Sequence, residues 1–208
     1  MYYRREYLAD ELLEDKVLDD PYLQFMDWIE DALRSGIDDP TAMALATTSS
    51  SGKPSVRIVL LKDAGPDGLV FFSNYESRKG KELELISQAA AMFFWPGLER
   101  QIRIEGKVER VSTQESDEFF QSRPLESRIA SIISPQSQEI PGRDFMINKF
   151  EQLRATVNDT TIKRPEYWGG YILKPDSYEF WQGRENRLND RILYSLIDGD
   201  WMIKRLAP

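Results

Sequence analysis

The chain has 208 residues, 41% of them hydrophobic and 30% charged, with a formal net charge of −8, the dimensions of one soluble domain with at most a small extension. It contains no cysteine and no histidine, which excludes a thiol nucleophile, a disulfide framework, a Cys/His zinc site, a Ser-His-Asp triad and an imidazole base. The negative charge is local, because residues 1–40 hold four basic and twelve acidic side chains while residues 41–208 hold 23 of each; the overall sign argues against a nucleic-acid partner.

Residues 1–20 are polar and acidic with scattered Leu and read as an arm or short helix. Asp20-Pro21 has the form of an N-cap followed by proline at the first helical position. Tyr22, Phe25, Met26, Ile29 and Leu33 then fall at helical spacing, so 21–35 is expected to be an amphipathic helix ending at Gly36. Strands are expected at Ala42–Thr48, Ser55–Lys62 and Leu69–Ser73, separated by Ser49-Ser50-Ser51-Gly52 and Gly65-Pro66-Asp67-Gly68 turns. Ser77–Ile86 reads as a short helix, and Ala89–Trp95 and Gln101–Val111 as two more strands. In the last, Ile102, Ile104 and Val108 share one parity and Arg103, Glu105, Lys107 and Glu109 the other, the alternation of a sheet with one buried face.

Ser112-Thr113-Gln114-Glu115 fits a capping box opening a helix that runs to Ser122. Glu126–Ile133 and Arg143–Val157 are further helices, the latter with Met146, Phe150, Leu153 and Val157 on one face, and Pro135–Gly142 is a loop between them. Strands return at Gly170–Leu173, Tyr178–Trp181, Arg191–Ile197 and Trp201–Leu206, with Asp198-Gly199 as a hairpin turn. The connections are mostly hairpin-like, so the pattern points to a mainly β, α+β fold: an antiparallel barrel with peripheral helices rather than a doubly wound parallel sheet. No apolar run approaches the ~18–20 residues of a membrane span. Met1 to Tyr7 lacks the apolar region of a signal peptide. The expectation is therefore a soluble, cytoplasmic protein with no membrane partner.

Neither GxxxxGK[ST] nor a strand-to-helix GxGxxG occurs. Side chains able to bind phosphate nevertheless cluster: Arg57 and Lys62, Arg78 and Lys79, Arg123 and Ser127, Arg187 and Arg191. Charge alone does not separate a phosphate site from a solvated charged surface, the commoner state of Arg and Lys.

A series of strings adds to this. Arg57-Ile58-Val59-Leu60-Leu61-Lys62 is followed by Phe71-Phe72-Ser73-Asn74, Ser77-Arg78-Lys79-Gly80, Leu98-Glu99-Arg100-Gln101, Ser122-Arg123-Pro124 and Pro135-Gln136-Ser137. Later come Tyr167-Trp168-Gly169-Gly170, Glu179-Phe180-Trp181-Gln182-Gly183, Asn186-Arg187-Leu188-Asn189-Asp190-Arg191 and the terminal Arg205-Leu206-Ala207-Pro208. In order and spacing, from Arg4 to Pro208, the chain resembles the pyridoxamine 5′-phosphate oxidase family.

The resemblance implies an FMN-binding split β-barrel over 21–165, an N-terminal arm over 1–20, and a C-terminal dimerisation and substrate region over 166–208 packed on the same barrel. It implies a homodimer with FMN at the interface. The cofactor would be held by Arg57, Ile58, Val59, Leu60, Leu61 and Lys62, by Phe72, Ser73, Arg78 and Lys79, and by Gln101, Gln136, Ser137, Trp181 and Arg191. The substrate would meet Arg4, Arg5, Glu6 and Tyr7, then Lys62, Phe119, Arg123, Ser127, Arg187, Leu188 and Asn189, with Arg187 as the catalytic side chain against the pyridine ring; no metal is implied. The implied reaction passes a hydride from C4′ of pyridoxamine or pyridoxine 5′-phosphate to the flavin, gives pyridoxal 5′-phosphate, and reduces dioxygen to hydrogen peroxide.

Two positions depart from the family pattern. Asn189 stands where His is usual, and Phe119 where a Tyr hydroxyl usually meets the substrate phosphate. Loss of one hydrogen bond to a charged group costs about 1.5–3 kcal/mol, so weaker substrate binding is expected rather than a lost reaction, and Asn189 does not titrate. Two other functions fit the same strings: a flavoprotein oxidase of phenazine-biosynthesis type, and a non-catalytic flavin or pyridoxal-phosphate binding protein.

Overall fold

In a computed structural model of the chain, the described residues are 6–208; Arg4 and Arg5 lie outside them. The elements in order are α1 (Pro21–Arg34), β1 (Ala42–Thr48), β2 (Pro54–Leu60), β3 (Asp63–Gly65), β4 (Gly68–Asn74), α2 (Arg78–Leu85), β5 (Gln88–Trp95), β6 (Arg100–Arg110), α3 (Thr113–Ser122), α4 (Leu125–Ile133), α5 (Arg143–Arg154), β7 (Trp168–Gln182), β8 (Asp190–Ile197) and β9 (Asp200–Arg205). The strands form one antiparallel sheet in the order β2-β1-β5-β6-β7-β4-β3, with β8 and β9 branching from β7. The sheet curls into a split barrel. Its interior is filled by Met43, Leu45, Leu69, Phe71, Phe93, Ile102, Ile104, Leu173 and Phe180, all fully buried.

Local signals explain most of these elements. Asp20 caps α1 by accepting from Tyr22 N, and Pro21 opens the helix. The face of α1 that enters the core carries Phe25, Trp28, Ile29 and Ala32, while Leu33, expected on that face, is exposed. The capping box at Ser112 and Glu115 is present in both directions. Along β6, Ile102, Ile104 and Val108 are buried and Arg103, Glu105 and Lys107 exposed, as the alternation requires. Asp198 and Gly199 both take positive φ, 52° and 94°, the twist of a two-residue hairpin.

β7 differs from expectation. Gly170–Leu173 and Tyr178–Trp181 are two halves of one 15-residue strand: Pro175 stays in the ladder opposite Gly106, and a β-bulge leaves Asp176 of β7 without a partner between Glu105 and Gly106 of β6. A Cβ on Gly106 would lie 2.1 Å from Lys174 O, so only glycine allows that approach. The first half of β7 pairs with β4, the second with β8, and both with β6. β7 therefore joins residues 168–208 to the rest of the sheet without a break. A second, smaller apolar cluster of Leu125, Ile129 and Ile162, with Phe150, Leu153 and Val157 packed against it, seats α4 and α5 beside the barrel.

Candidate functional site

Between β2, β4, α3 and α4 lies a cavity of about 690 Å³. Its wall includes Ile58, Val59, Leu60, Lys62, Phe72, Ser73, Lys79, Phe119, Arg123, Ser127 and Gln136, and, among the described residues, no aspartate or glutamate.

The Ser77-Arg78-Lys79-Gly80 string builds one end. Ser77 caps α2 by accepting from Gly80 N. A Cβ on Gly80 would meet Tyr75 O at 2.1 Å, so glycine lets the first turn of α2 close on β4. That turn sends Lys79 inward, where it is 8% exposed. Its Nζ donates to Ser73 Oγ at 3.0 Å and Gln136 Oε1 at 2.9 Å, both neutral oxygens. Burial, and then the nearby Arg57 charge, lower the ammonium to about 8.

The other end is Arg123, the residue that ends α3. Its NH1 donates to Ser131 Oγ at 2.6 Å, and its guanidinium lies 4.7 Å from the Trp168 ring centroid. Burial pushes its pKa below the ordinary arginine value. Phe72 stacks on Phe119 at 3.8 Å and 16°, and Phe119 lies near-parallel to Trp168 at 6.3 Å and 5°, giving the cavity a layered aromatic wall. α4 begins behind Pro124, which supplies no side-chain cap. Ser127, on the first turn, lines the cavity, with its own N–H donated to Pro124 O at 3.0 Å.

Not every expected residue joins this cavity. Arg57 is tied to Leu45 O, Thr47 and Ser55 and ion-paired with Glu82 at 3.4 Å. Arg78 pairs with the same carboxylate at 2.8 Å and, with Ser137, lines a neighbouring hollow of about 340 Å³ that shares Gln136 with the first. Leu61 turns its side chain into the core.

A separate group forms where β7 meets β8. Gln101 is opposite Trp181 across β6/β7, and Trp181 is opposite Arg191 across β7/β8. The Trp181 ring meets Tyr7 edge-on at 5.7 Å, and Arg191 donates to Glu179 at 2.8 Å. The loop between these strands holds a 3-10 turn, Glu185–Arg187, in which Asn186 and Arg187 have φ of 55° and 63°. Two successive non-glycine residues in the left-handed region store strain. The loop is closed by Asn189, whose Oδ1 accepts from Arg184 N at 3.0 Å, and by Glu6, whose carboxylate accepts from Asn186 N. Tyr7, Asn186 and exposed Leu188 border a further hollow of about 370 Å³. None of Gln101, Trp181, Arg187, Leu188, Asn189 and Arg191 lines the first cavity.

Sequence reasoning gave no site role to Ser131 or Glu82, nor to Trp168 beyond its place in the Tyr167-Trp168-Gly169-Gly170 string. Ser131 had a signal: it lies four residues after Ser127 and so on the same helical face. Arg78–Glu82 also had one, the i,i+4 spacing on α2; the pairing of Glu82 with Arg57 had none, because it is made by tertiary structure.

A curled antiparallel sheet with helices beside it and a cation-lined cavity at its side defines a split β-barrel protein. A pyridoxamine 5′-phosphate oxidase-related, FMN-binding protein from Nostoc punctiforme has this fold, with a TM-score of 0.72 at 18% identity over 90% of this chain and 97% of that one. The chain belongs to the pyridoxamine 5′-phosphate oxidase family and is an oxidase. The family model "Pyridoxamine 5′-phosphate oxidase" matches residues 29–157, and "Pyridoxine 5′-phosphate oxidase C-terminal dimerisation region" matches 168–208. The chain is 48% identical over 206 residues to the pyridoxine/pyridoxamine 5′-phosphate oxidase of Cupriavidus taiwanensis, covering 99% of this chain and 97% of that one. It also superposes on PhzG from Burkholderia lata, crystallised with tetrahydrophenazine-1-carboxylic acid, with a TM-score of 0.90 at 28% identity over 96% of this chain and 99% of that one. No described helix is long and apolar enough to cross a membrane.

Proposed function

We propose that this chain is an FMN-dependent oxidase that converts pyridoxamine and pyridoxine 5′-phosphates to pyridoxal 5′-phosphate, with dioxygen as acceptor and hydrogen peroxide as product. We further propose that it acts as a homodimer with the flavin at the interface. One observation carries the reading. Lys62, Lys79 and Arg123 share a cavity free of acids, and none has a carboxylate partner among the described residues. Lys79 is buried, Arg123 half-buried and Lys62 exposed, and for the first two a desolvated charge without a counter-charge costs free energy. A cofactor phosphate and a substrate phosphate would supply the missing anions.

Lys79, Ser73 and Gln136 fit the cofactor phosphate, with Arg78 and Ser137 beside them. Arg123 and Ser127 fit the substrate phosphate, with Lys62 on the wall of the same cavity. Bound flavin would supply the two-electron acceptor, which the side chains of a chain without cysteine do not provide. The protein's own task is to hold and orient two phosphates and to offer the Phe72–Phe119–Trp168 wall to a planar ring.

The dimer reading is supported by two features. Gln101, Trp181, Arg187 and Arg191 lie apart from the cavity of their own chain. Beside that cavity, β2 presents Val56 and Ile58 to solvent at 69% and 65% exposure, an apolar edge suited to burial against a second copy. In a two-fold dimer each copy brings its Arg187 loop to the other's cavity.

The direct test adds FMN and pyridoxamine 5′-phosphate in air. Yellow protein and peroxide release are expected; colourless protein with no peroxide removes the reading. The shared site has its own test. Arg187→Ala and Arg123→Met subunits are refolded together and assayed at pyridoxamine 5′-phosphate far below the raised KM of Arg123→Met, where each alone is weak. Half of the dimers then carry one intact site of two, so about a quarter of wild-type turnover returns. Lack of recovery places the whole site within one chain. A phenazine-type oxidation is the second reading, favoured by the planar aromatic wall; under it pyridoxamine 5′-phosphate releases no peroxide above the FMN blank.

Lys79 also predicts a pH effect. Its ammonium sits at about 8 without ligand, and a bound phosphate stabilises only the charged form. Flavin affinity is therefore full below pH 8 and weakens as pH rises from 8 to 10. Fluorescence titration of FMN across that range measures it, and Lys79→Met should bind weakly with no such slope.

A further inference from the structure

Of the cations in the cavity, Arg123 is held in an unusual way. Arginine only donates hydrogen bonds, so Ser131 Oγ must accept the 2.6 Å bond from Arg123 NH1. The single proton of Ser131 is committed elsewhere, to Ser127 O at 3.0 Å, one turn back along α4. That bond turns the hydroxyl's lone pairs toward the guanidinium. On its other side the guanidinium rests on the Trp168 face, at 4.7 Å. Phe72 and Phe119, the rings of the aromatic wall at 5.6 and 6.3 Å from Trp168, contribute no polar atom to this end of the cavity.

We infer that Ser131 is a positioning residue for anion recognition: its hydroxyl, oriented by the Ser127 carbonyl, fixes Arg123 against Trp168 so that the free edge of the guanidinium faces the phosphate-bearing end of the ligand. This deepens the proposed function and rests on it for the identity of the ligand. A guanidinium already fixed loses less freedom when it binds, so the hydroxyl contributes to affinity without touching the ligand. Ser127, in the same helical turn, keeps its own hydroxyl for the anion, because its carbonyl rather than its side chain answers Ser131.

The test compares Ser131→Ala with Ser131→Thr in the FMN-loaded protein, using two readouts. The first is the split between KM and kcat for pyridoxamine 5′-phosphate. The second, independent of turnover, is the dissociation constant for inorganic phosphate. Ser131→Ala should raise KM about three- to tenfold with kcat within twofold, and weaken phosphate binding by a similar factor. Ser131→Thr retains the hydroxyl and should stay near wild type in both. In an Arg123→Met background Ser131→Ala should add nothing, because its effect passes through the guanidinium. Unchanged KM and phosphate affinity in Ser131→Ala overturn the inference, as does an equal loss in the alanine and threonine variants. So does the absence of phosphate binding in wild type. If wild type binds phosphate in a Ser131-dependent way but does not turn over pyridoxamine 5′-phosphate, the proposed reaction falls and the positioning role stands.

Discussion

Arg123→Met raises the KM for pyridoxamine 5′-phosphate by about 10- to 140-fold and leaves the melting temperature at or above that of wild type. The first figure follows from a hydrogen bond to a charged group, worth about 1.5–3 kcal/mol, at tenfold per 1.4 kcal/mol. The second follows from the surroundings. Among the described residues Arg123 has no carboxylate partner, and its polar contact in the fold is the neutral Ser131 hydroxyl. Burial already disfavours its charge. Removing that charge orphans no acid, and methionine retains apolar contact with Trp168. Binding of substrate and transition state through a remote phosphate is uniform, so kcat at saturation should change little. A fall in Tm with unchanged KM would make Arg123 a structural residue and remove the substrate end of the site.

The contrast between Arg123 and the other arginines explains how far the site could be read from sequence. Arg57, Arg78, Lys79 and Arg123 look alike as a linear series of cations. In the fold, Arg57 and Arg78 share one carboxylate, Glu82, while Lys79 and Arg123 meet only neutral oxygens. Which cation remains available to a ligand is decided by tertiary pairing. The local elements were legible because their causes are local: the Asp20-Pro21 start of α1, the Ser112/Glu115 capping box, the alternation along β6, and the Asp198-Gly199 hairpin. β7 was not, because Pro175 reads as a strand break, whereas it pairs opposite Gly106 beside a bulge at Asp176. Asn189 was expected to meet the substrate; its carboxamide oxygen is engaged by Arg184 N, closing the loop that carries Arg187. Strand pairing also separates Trp181 and Arg191 from the cavity that holds Lys62, a division invisible in residue order.

Glu82→Ala lowers the melting temperature by about 6–20 °C and abolishes one acid-dependent component of stability. Glu82 is 6% exposed, and its carboxylate accepts from Thr47 Oγ1 at 2.5 Å, Ser55 Oγ at 2.6 Å and Arg78 Nε at 2.8 Å, with Arg57 NH2 at 3.4 Å. Burial by itself pushes the carboxyl up; the hydrogen bonds from Ser55, Thr47 and Arg78 outweigh it and hold the group at about 2. Removing the acid leaves Arg57 and two hydroxyls without their common acceptor, a loss of about 3–5 kcal/mol for a buried pair, and each kcal/mol is about 2–4 °C for a chain of this length. The sign of the pH dependence follows from the lowered value. The unfolded carboxyl binds its proton near pH 4.5 and the folded one near 2, so the contribution is complete above pH 4.5 and disappears as pH falls toward 2. Melting curves between pH 2 and 6 should show wild type losing stability over that window more steeply than Glu82→Gln. Parallel curves for the two would mean that Glu82 does not hold β1, β2 and α2 together beside the cavity.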